Sequence, residues 1–144
     1  IMMLASSHPA GWPAALVHYW TMWNEPDVER IRFHLDQAVS ETFVFSDPRH
    51  HHVGRDALEA NVRSLRTDKP HYRFVVATEL DTQHGCFRYR WNMMARGRTL
   101  LEGLDIALLG DDGLLQRVDG FFGRLTPAMS PSEGGMVPDF LRSD

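Results

Sequence analysis

Apolar positions recur at helical spacing near the start of the chain and at a period of two through its second half. After Trp12-Pro13, residues Leu16, Tyr19, Trp20 and Trp23 fall on one face, and Pro13 suits a first helical turn. A second helix restarts after Pro26, with Val28, Ile31, Leu35 and Ala38 as its buried stripe. The stretch "ETFVFSDP" then reads as a short strand closed by Asp47-Pro48, because proline removes a ladder donor. A loop "RHHHVG" follows, and Arg55 to Leu65 gives a third helix whose face carries Leu58, Val62, Leu65 and also Asn61.

From Tyr72 the spacing becomes that of strands. "YRFVVATELD", "CFRYRWNMMAR", "TLLEGLDIALL" and "LLQRVDGFFGRL" predict a four-stranded antiparallel meander, with turns at Gln83 to Gly85, Gly97-Arg98 and Gly110 to Gly113. Helices first and sheet second give an α+β domain with the helices on one face of the sheet. One position breaks the pattern. Asp105 interrupts an apolar run, and a carboxylate there is costly unless it is paired or gives up its charge. If Asp105 faces inward, Ala107 and Leu109 face inward too, while Leu104, Ile106 and Leu108 make the outer face apolar, which predicts that a second subunit covers it.

At 144 residues the chain supports one core. A net charge of -4 and scattered arginines exclude nucleic acid as the main partner. The single cysteine, Cys86, leaves no internal disulfide and fits a reducing compartment, read here as the cytoplasm, with Cys86 as a small buried hydrophobe. No apolar run is long enough for a membrane span, and the opening stretch lacks a signal-like pattern, so no membrane association is expected. The domain is expected over residues 8–125. A tail, 126–144, is expected to be flexible or packed on a neighbour through Met136, Val137, Phe140 and Leu141.

Three motifs carry a resemblance. "VHYWTMWNEPDVERI", "FSDP" and "GLDIALLGDDG" are similar to segments of the nuclear transport factor two-like superfamily, closest in motif to its ketosteroid isomerases. The similarity spans roughly Trp12 to Leu125. It implies a cone-shaped roll, in which a strongly curved, mainly antiparallel sheet holds three N-terminal helices on its concave face around an apolar cavity. It also implies a homodimer through the convex face. Carried over residue by residue, it implies Tyr19 as an oxyanion donor, Asp47 as general base and Asp105 as a neutral acid sharing the oxyanion hole. Trp23, Asn61, Tyr89, Trp91, Met93 and Phe122 are the implied ligand-binding residues, with Arg88, Arg90 and Asn92 turned outward and the arginines paired with Glu102, Arg117 or Asp119.

Each of these residues also has a structural reading. Asp105 as an ionised acceptor for a buried Tyr, Trp or Asn, Asp47 as a turn residue, and Tyr19 as a core aromatic fit the same pattern. Trp20 and Trp23 read as core. Departures from the isomerase pattern are Val62, where that family has a supporting tyrosine, a longer interval before Asp47, and Asn61 in place of an apolar residue. Gly120 rather than Asp119 faces inward on the last strand, which speaks against cyclase and epoxide-hydrolase chemistry, and Tyr89-Arg90-Trp91 lacks the Arg-x-Asp pair of the hydrolases. His18 and His34 are the candidates for dehydratase-type chemistry. The His50 to His52 run is expected to be solvated rather than to hold a metal, and to contact ligand if its loop rims the cone. The expected function is binding of a small hydrophobic carbonyl-type molecule, with cofactor-free and metal-free isomerisation through an enolate. The alternative is a noncatalytic ligand-binding or dimerisation domain on the same scaffold.

Overall fold

A computed structural model describes residues 11–128. Among the described residues three α-helices, α1 (Ala14–Asn24), α2 (Ile31–Ala38) and α3 (Arg55–Asp68), pack on a seven-stranded sheet, as the helix-then-sheet pattern requires. The strands are β1 (Val39–Asp47), β2 (His50–Val53), β3 (Arg73–Val76), β4 (Asp81–Gln83), β5 (Cys86–Ala95), β6 (Arg98–Leu109) and β7 (Leu115–Phe122). The main order is β2-β1-β7-β6-β5-β3, and β4 also pairs with β5. Only β1 and β7 run parallel. Register shifts in three of the pairings bend the sheet, because an unmatched residue increases local twist and curvature. The tail reading falls largely outside the described residues, and Met136, Val137, Phe140 and Leu141 lie wholly outside them.

The helices enter as their sequences dictate. Pro13 caps α1, and its carbonyl accepts the amides of Leu16 and Val17 at 3.0 and 3.1 Å. The face bearing Leu16, Tyr19, Trp20 and Trp23 is buried. Asn24 closes α1 by satisfying an edge strand: its amide nitrogen donates to the Phe74 carbonyl at 2.9 Å and its side-chain oxygen accepts the Phe74 amide at 2.8 Å. The second helix begins as a 3-10 turn over Val28–Arg30, capped by Asp27, whose carboxylate accepts the Glu29 amide.

Three expectations are corrected here. The His50 to Val53 stretch is a strand, not a loop, paired antiparallel with β1 so that Asp47 faces His50 across a two-residue turn. The first meander strand is split into β3 and β4, since the Arg90 amide is taken by the Thr78 hydroxyl at 2.9 Å and Ala77 donates to the Arg90 carbonyl at 2.8 Å. The β5–β6 turn is Arg96-Gly97, with positive φ at both positions (52° and 78°), because Ala95 pairs with Arg98 and leaves a two-residue hairpin loop that twist forces left-handed.

The outer face carries Ile106, Leu108 and Phe121 exposed, as parity requires. Its charges pair locally: Arg88 with Asp81, Arg117 with Asp119 and Arg124 with Glu102, at 2.7, 2.8 and 2.9 Å. The expected ion-pair network of Arg88 and Arg90 with Glu102, Arg117 and Asp119 is therefore redrawn for Arg88, because β4 brings Asp81 nearer, while Arg124 after β7 takes Glu102 and Arg117 takes Asp119. Cys86 is half-buried, not buried, lying at the start of β5. No helix of the described residues is long and apolar enough to cross a membrane.

One buried cation ties the helical layer to the sheet. Arg66 is 3% exposed and donates to the carbonyls of Glu25, Pro70 and Tyr72 at 3.2, 2.9 and 2.6 Å. Removing the donors leaves three inward carbonyls to find other partners. Arg66→Met is therefore expected to lower unfolding free energy by about 2–4 kcal/mol, read from urea midpoints; an unchanged midpoint contradicts this role.

Candidate functional site

Strand register assembles the centre of the site. On the concave face, Asp105 of β6 sits opposite Tyr89 of β5 and Gly120 of β7, and the neighbouring row is Trp91, Gly103 and Phe122. Asp105 is 4% exposed and accepts two hydrogen bonds, from the Tyr89 hydroxyl at 3.0 Å and the Trp91 indole N–H at 2.8 Å. Both glycines make room. A Cβ on Gly120 would stand 3.1 Å from Asp105 Oδ1, and one on Gly103 would overlap the Trp91 ring.

Burial dominates the electrostatics. It pushes the Asp105 carboxyl up to about 7, against the opposing pull of the Trp91 and Tyr89 hydrogen bonds. Burial, reinforced by the Asp105 charge, holds the Tyr19 phenol well above its ordinary value, so it stays a protonated donor. The same two causes raise Tyr89. Near neutral pH the site therefore holds an acid that keeps its proton far more readily than a free aspartate, beside phenols that keep theirs.

A cavity of about 190 Å³ opens between the helices and the concave face. Tyr19, Asp47 and Asp105 all line it. Of the predicted ligand-binding residues, Trp23, Asn61, Trp91, Met93 and Phe122 line it as well. Tyr89 does not; it stands behind Asp105, and its hydroxyl is spent on that carboxylate. Most of the wall is apolar, and the Asn61 side-chain nitrogen is buried within it without a hydrogen-bond partner among the described residues. Trp20 and Trp23 belong to the core and to the cavity wall at once.

Asp47 plays the turn role and also reaches the cavity. Its Oδ1 accepts the backbone amides of Arg49 and His50 at 2.8 and 2.7 Å, closing the β1–β2 hairpin. The same oxygen lies 3.0 Å from His50 Nδ1. His50 and Arg49 line the cavity mouth, so the histidine segment rims the cone. The available signal was Asp-Pro-x-His itself, whose ends become cross-strand neighbours once a two-residue turn is drawn. Phe45, Leu65, Tyr72, Phe74 and Leu101 complete the wall.

His18 and His34 stand apart from this cavity. His18 Nδ1 and His34 Nδ1 are 3.2 Å apart, and His34 Nε2 is 3.0 Å from Glu25 Oε1, so this pair joins α1 to α2. Among the described residues no group of three His, Cys, Asp or Glu side chains is arranged to hold a metal ion. Alternation along β2 separates His51, bonded to Ser46 at 2.7 Å, from His50 and His52, whose ring centres are 5.5 Å apart.

No protein-family model and no curated protein matches the chain. Solved structures do. The crystal structure of a candidate isomerase of the SnoaL-like family from Agrobacterium tumefaciens is 30% identical, covering 76% of this chain and 95% of that one with a TM-score of 0.71. An NTF2-like protein of unknown function from Exiguobacterium is 18% identical over 77% of this chain and 99% of its own, with a TM-score of 0.64. A SnoaL-like candidate polyketide cyclase from Jannaschia is 11% identical over 76% of this chain and 85% of its own, with a TM-score of 0.58. The last two show shared fold only.

Proposed function

Because the chain belongs to the SnoaL-like family of the NTF2-like superfamily, we propose that its cavity binds a compact, largely apolar carbonyl compound and shifts a proton on it through an enolate. The observation that carries this reading is the convergence of Tyr19, Asp105 and the Asp47 hairpin on one apolar cavity. An enolate concentrates charge on oxygen, and preorganised donors in a dry site stabilise that charge more than water does. Tyr19 and the protonated form of Asp105 are the donors, while the Asp47 end of the cavity receives the proton from carbon. No cofactor or metal is required by this chemistry.

Size and polarity narrow the ligand. About 190 Å³ is below the roughly 300–1,000 Å³ of common small-molecule sites, which favours a compact molecule over a large polycyclic one. The unspent Asn61 amide supplies a donor for a second oxygen on that molecule. Cyclase-type chemistry through an inward acid on the last strand is not favoured, since Gly120 occupies that position and Asp119 turns out to meet Arg117. The proposal includes a homodimer in the cytoplasm, formed through the apolar outer face around Ile106, Leu108 and Phe121.

The test is conversion of 3-cyclohexenone to its conjugated isomer, followed by enone absorbance. Wild-type protein is expected to turn over, and Tyr19→Phe to lower kcat about 10²-fold by removing one oxyanion donor. A wild type that binds the ketone but gives no conversion above buffer supports the noncatalytic alternative and overturns the isomerase reading.

A further inference from the structure

We propose that the group that takes the proton from carbon is His50, with Asp47 acting through it as a positioning residue. This rests on the proton-transfer reading above and specifies its acceptor.

The hairpin creates the pair. Asp47 ends β1 and His50 starts β2 directly opposite it, and cross-strand partners project to the same face. That face is the cavity side, because the next inward pair, Phe45 and His52, stacks at 6.0 Å with rings only 15° apart and Phe45 lines the cavity. Asp47 is mostly enclosed, its side chain 11% exposed, while that of His50 is 39% exposed at the mouth. The accessible member of the pair is the imidazole.

Hydrogen bonding divides the labour further. Asp47 Oδ1 already serves two backbone amides and the imidazole, and Oδ2 lies 3.3 Å from the same ring nitrogen. A carboxylate held at Nδ1 fixes the proton there, which leaves Nε2 as a bare lone pair. Nε2 makes no hydrogen bond among the described residues, and imidazole is a stronger base than a carboxylate. The charged and titratable neighbours are Asp47, Arg49 and His52 on the hairpin, with Tyr19 and Asp105 across the cavity; His51 faces the other way toward Ser46.

The step balances without a co-reactant. The bond from hydrogen to the carbon beside the carbonyl breaks, its electron pair becomes the enolate double bond, and the proton moves to Nε2. Asp47 stabilises the imidazolium, which then returns the proton to the γ-carbon as the conjugated double bond forms.

The experiment uses the full chain and 3-cyclohexenone. His50→Gln is expected to lower kcat about 10²–10³-fold, and His50→Gly to regain turnover with added imidazole, more with the more basic 4-methylimidazole than with 4-bromoimidazole. Asp47→Asn should leave intermediate activity, about 10-fold below wild type. If His50→Gln turns over like wild type while Asp47→Asn does not, Asp47 is itself the base and this inference fails with the isomerase reading intact. If wild type does not turn over, the isomerase reading fails instead. Independently of turnover, nitrogen-15 NMR is expected to show His50 protonated at Nδ1 and bare at Nε2; a proton on Nε2 overturns the assignment.

Discussion

Raising the pH from about 4 to about 7 is expected to destabilise the folded chain through Asp105, and Asp105→Asn is expected to abolish that contribution. In the unfolded chain the carboxyl titrates at the ordinary aspartate value of 3.8, whereas burial in the fold raises it to about 7. Between those limits the folded protein keeps a proton that the unfolded chain has released. Folding is therefore favoured at the acid end, and this contribution is lost as pH rises through about 7. At about 1.4 kcal/mol per pKa unit the swing is of the order of 4 kcal/mol. Asparagine is neutral at every pH and nearly isosteric, so the difference between the two proteins isolates the residue. Urea unfolding at pH 4.5, 6 and 8 should show the difference shifting by a few kcal/mol in favour of asparagine as pH rises. Parallel curves contradict the account.

Gly103→Ala is expected to be the most damaging single methyl group on the sheet. The Trp91 indole occupies the space where a side chain on Gly103, its cross-strand neighbour, would stand. An added Cβ would overlap Cζ2, Cε2 and Cη2 of that ring, closer than any real contact. The ring is rigid and packed against Trp20, Phe74 and Phe122, so it must move as a body. Its N–H then leaves Asp105, at 2.8 Å in the native site. Overpacking costs about 1–3 kcal/mol and the lost buried hydrogen bond about 1–3 more, giving roughly 2–6 kcal/mol in urea unfolding. A second signature follows. The Trp91 bond holds the Asp105 carboxyl down against desolvation, so the variant should titrate above the native value of about 7. A variant with native stability and native Asp105 titration contradicts this packing.

How much of this was legible in the sequence depends on whether the signal was local. The helix faces were, because Leu16, Tyr19 and Trp23, then Ile31 and Leu35, repeat at the helical period and are all buried. The two faces of β6 were too: once the resemblance sets Asp105 inward, alternation places Ala107 inside with it and Ile106 and Leu108 outside. The kind of partner, a buried Tyr or Trp, was legible as one alternative, but the exact pairing was not. Tyr89 and Trp91 reach it only through the β5–β6 register, which two residues' slip would change. Nor was β2, whose three histidines carry no apolar alternation and whose strand character comes from pairing with β1. The parallel contact between β1 and β7 joins the two ends of the fold, and no nearby residue encodes it. Arg66 was missed for the opposite reason: an arginine on a helix reads as solvated, and only the three converging carbonyls explain its burial.

The site and the family likeness support each other at different levels. The 30% identical Agrobacterium relative supports membership and scaffold. What this chain does with the scaffold rests on its own side chains, above all on a carboxyl that holds its proton near neutrality in an apolar cavity. The most direct test is carbon-13 titration of the Asp105 carboxyl in wild-type protein. A midpoint near 7 is the result predicted here, and a midpoint near 3.8 would contradict it.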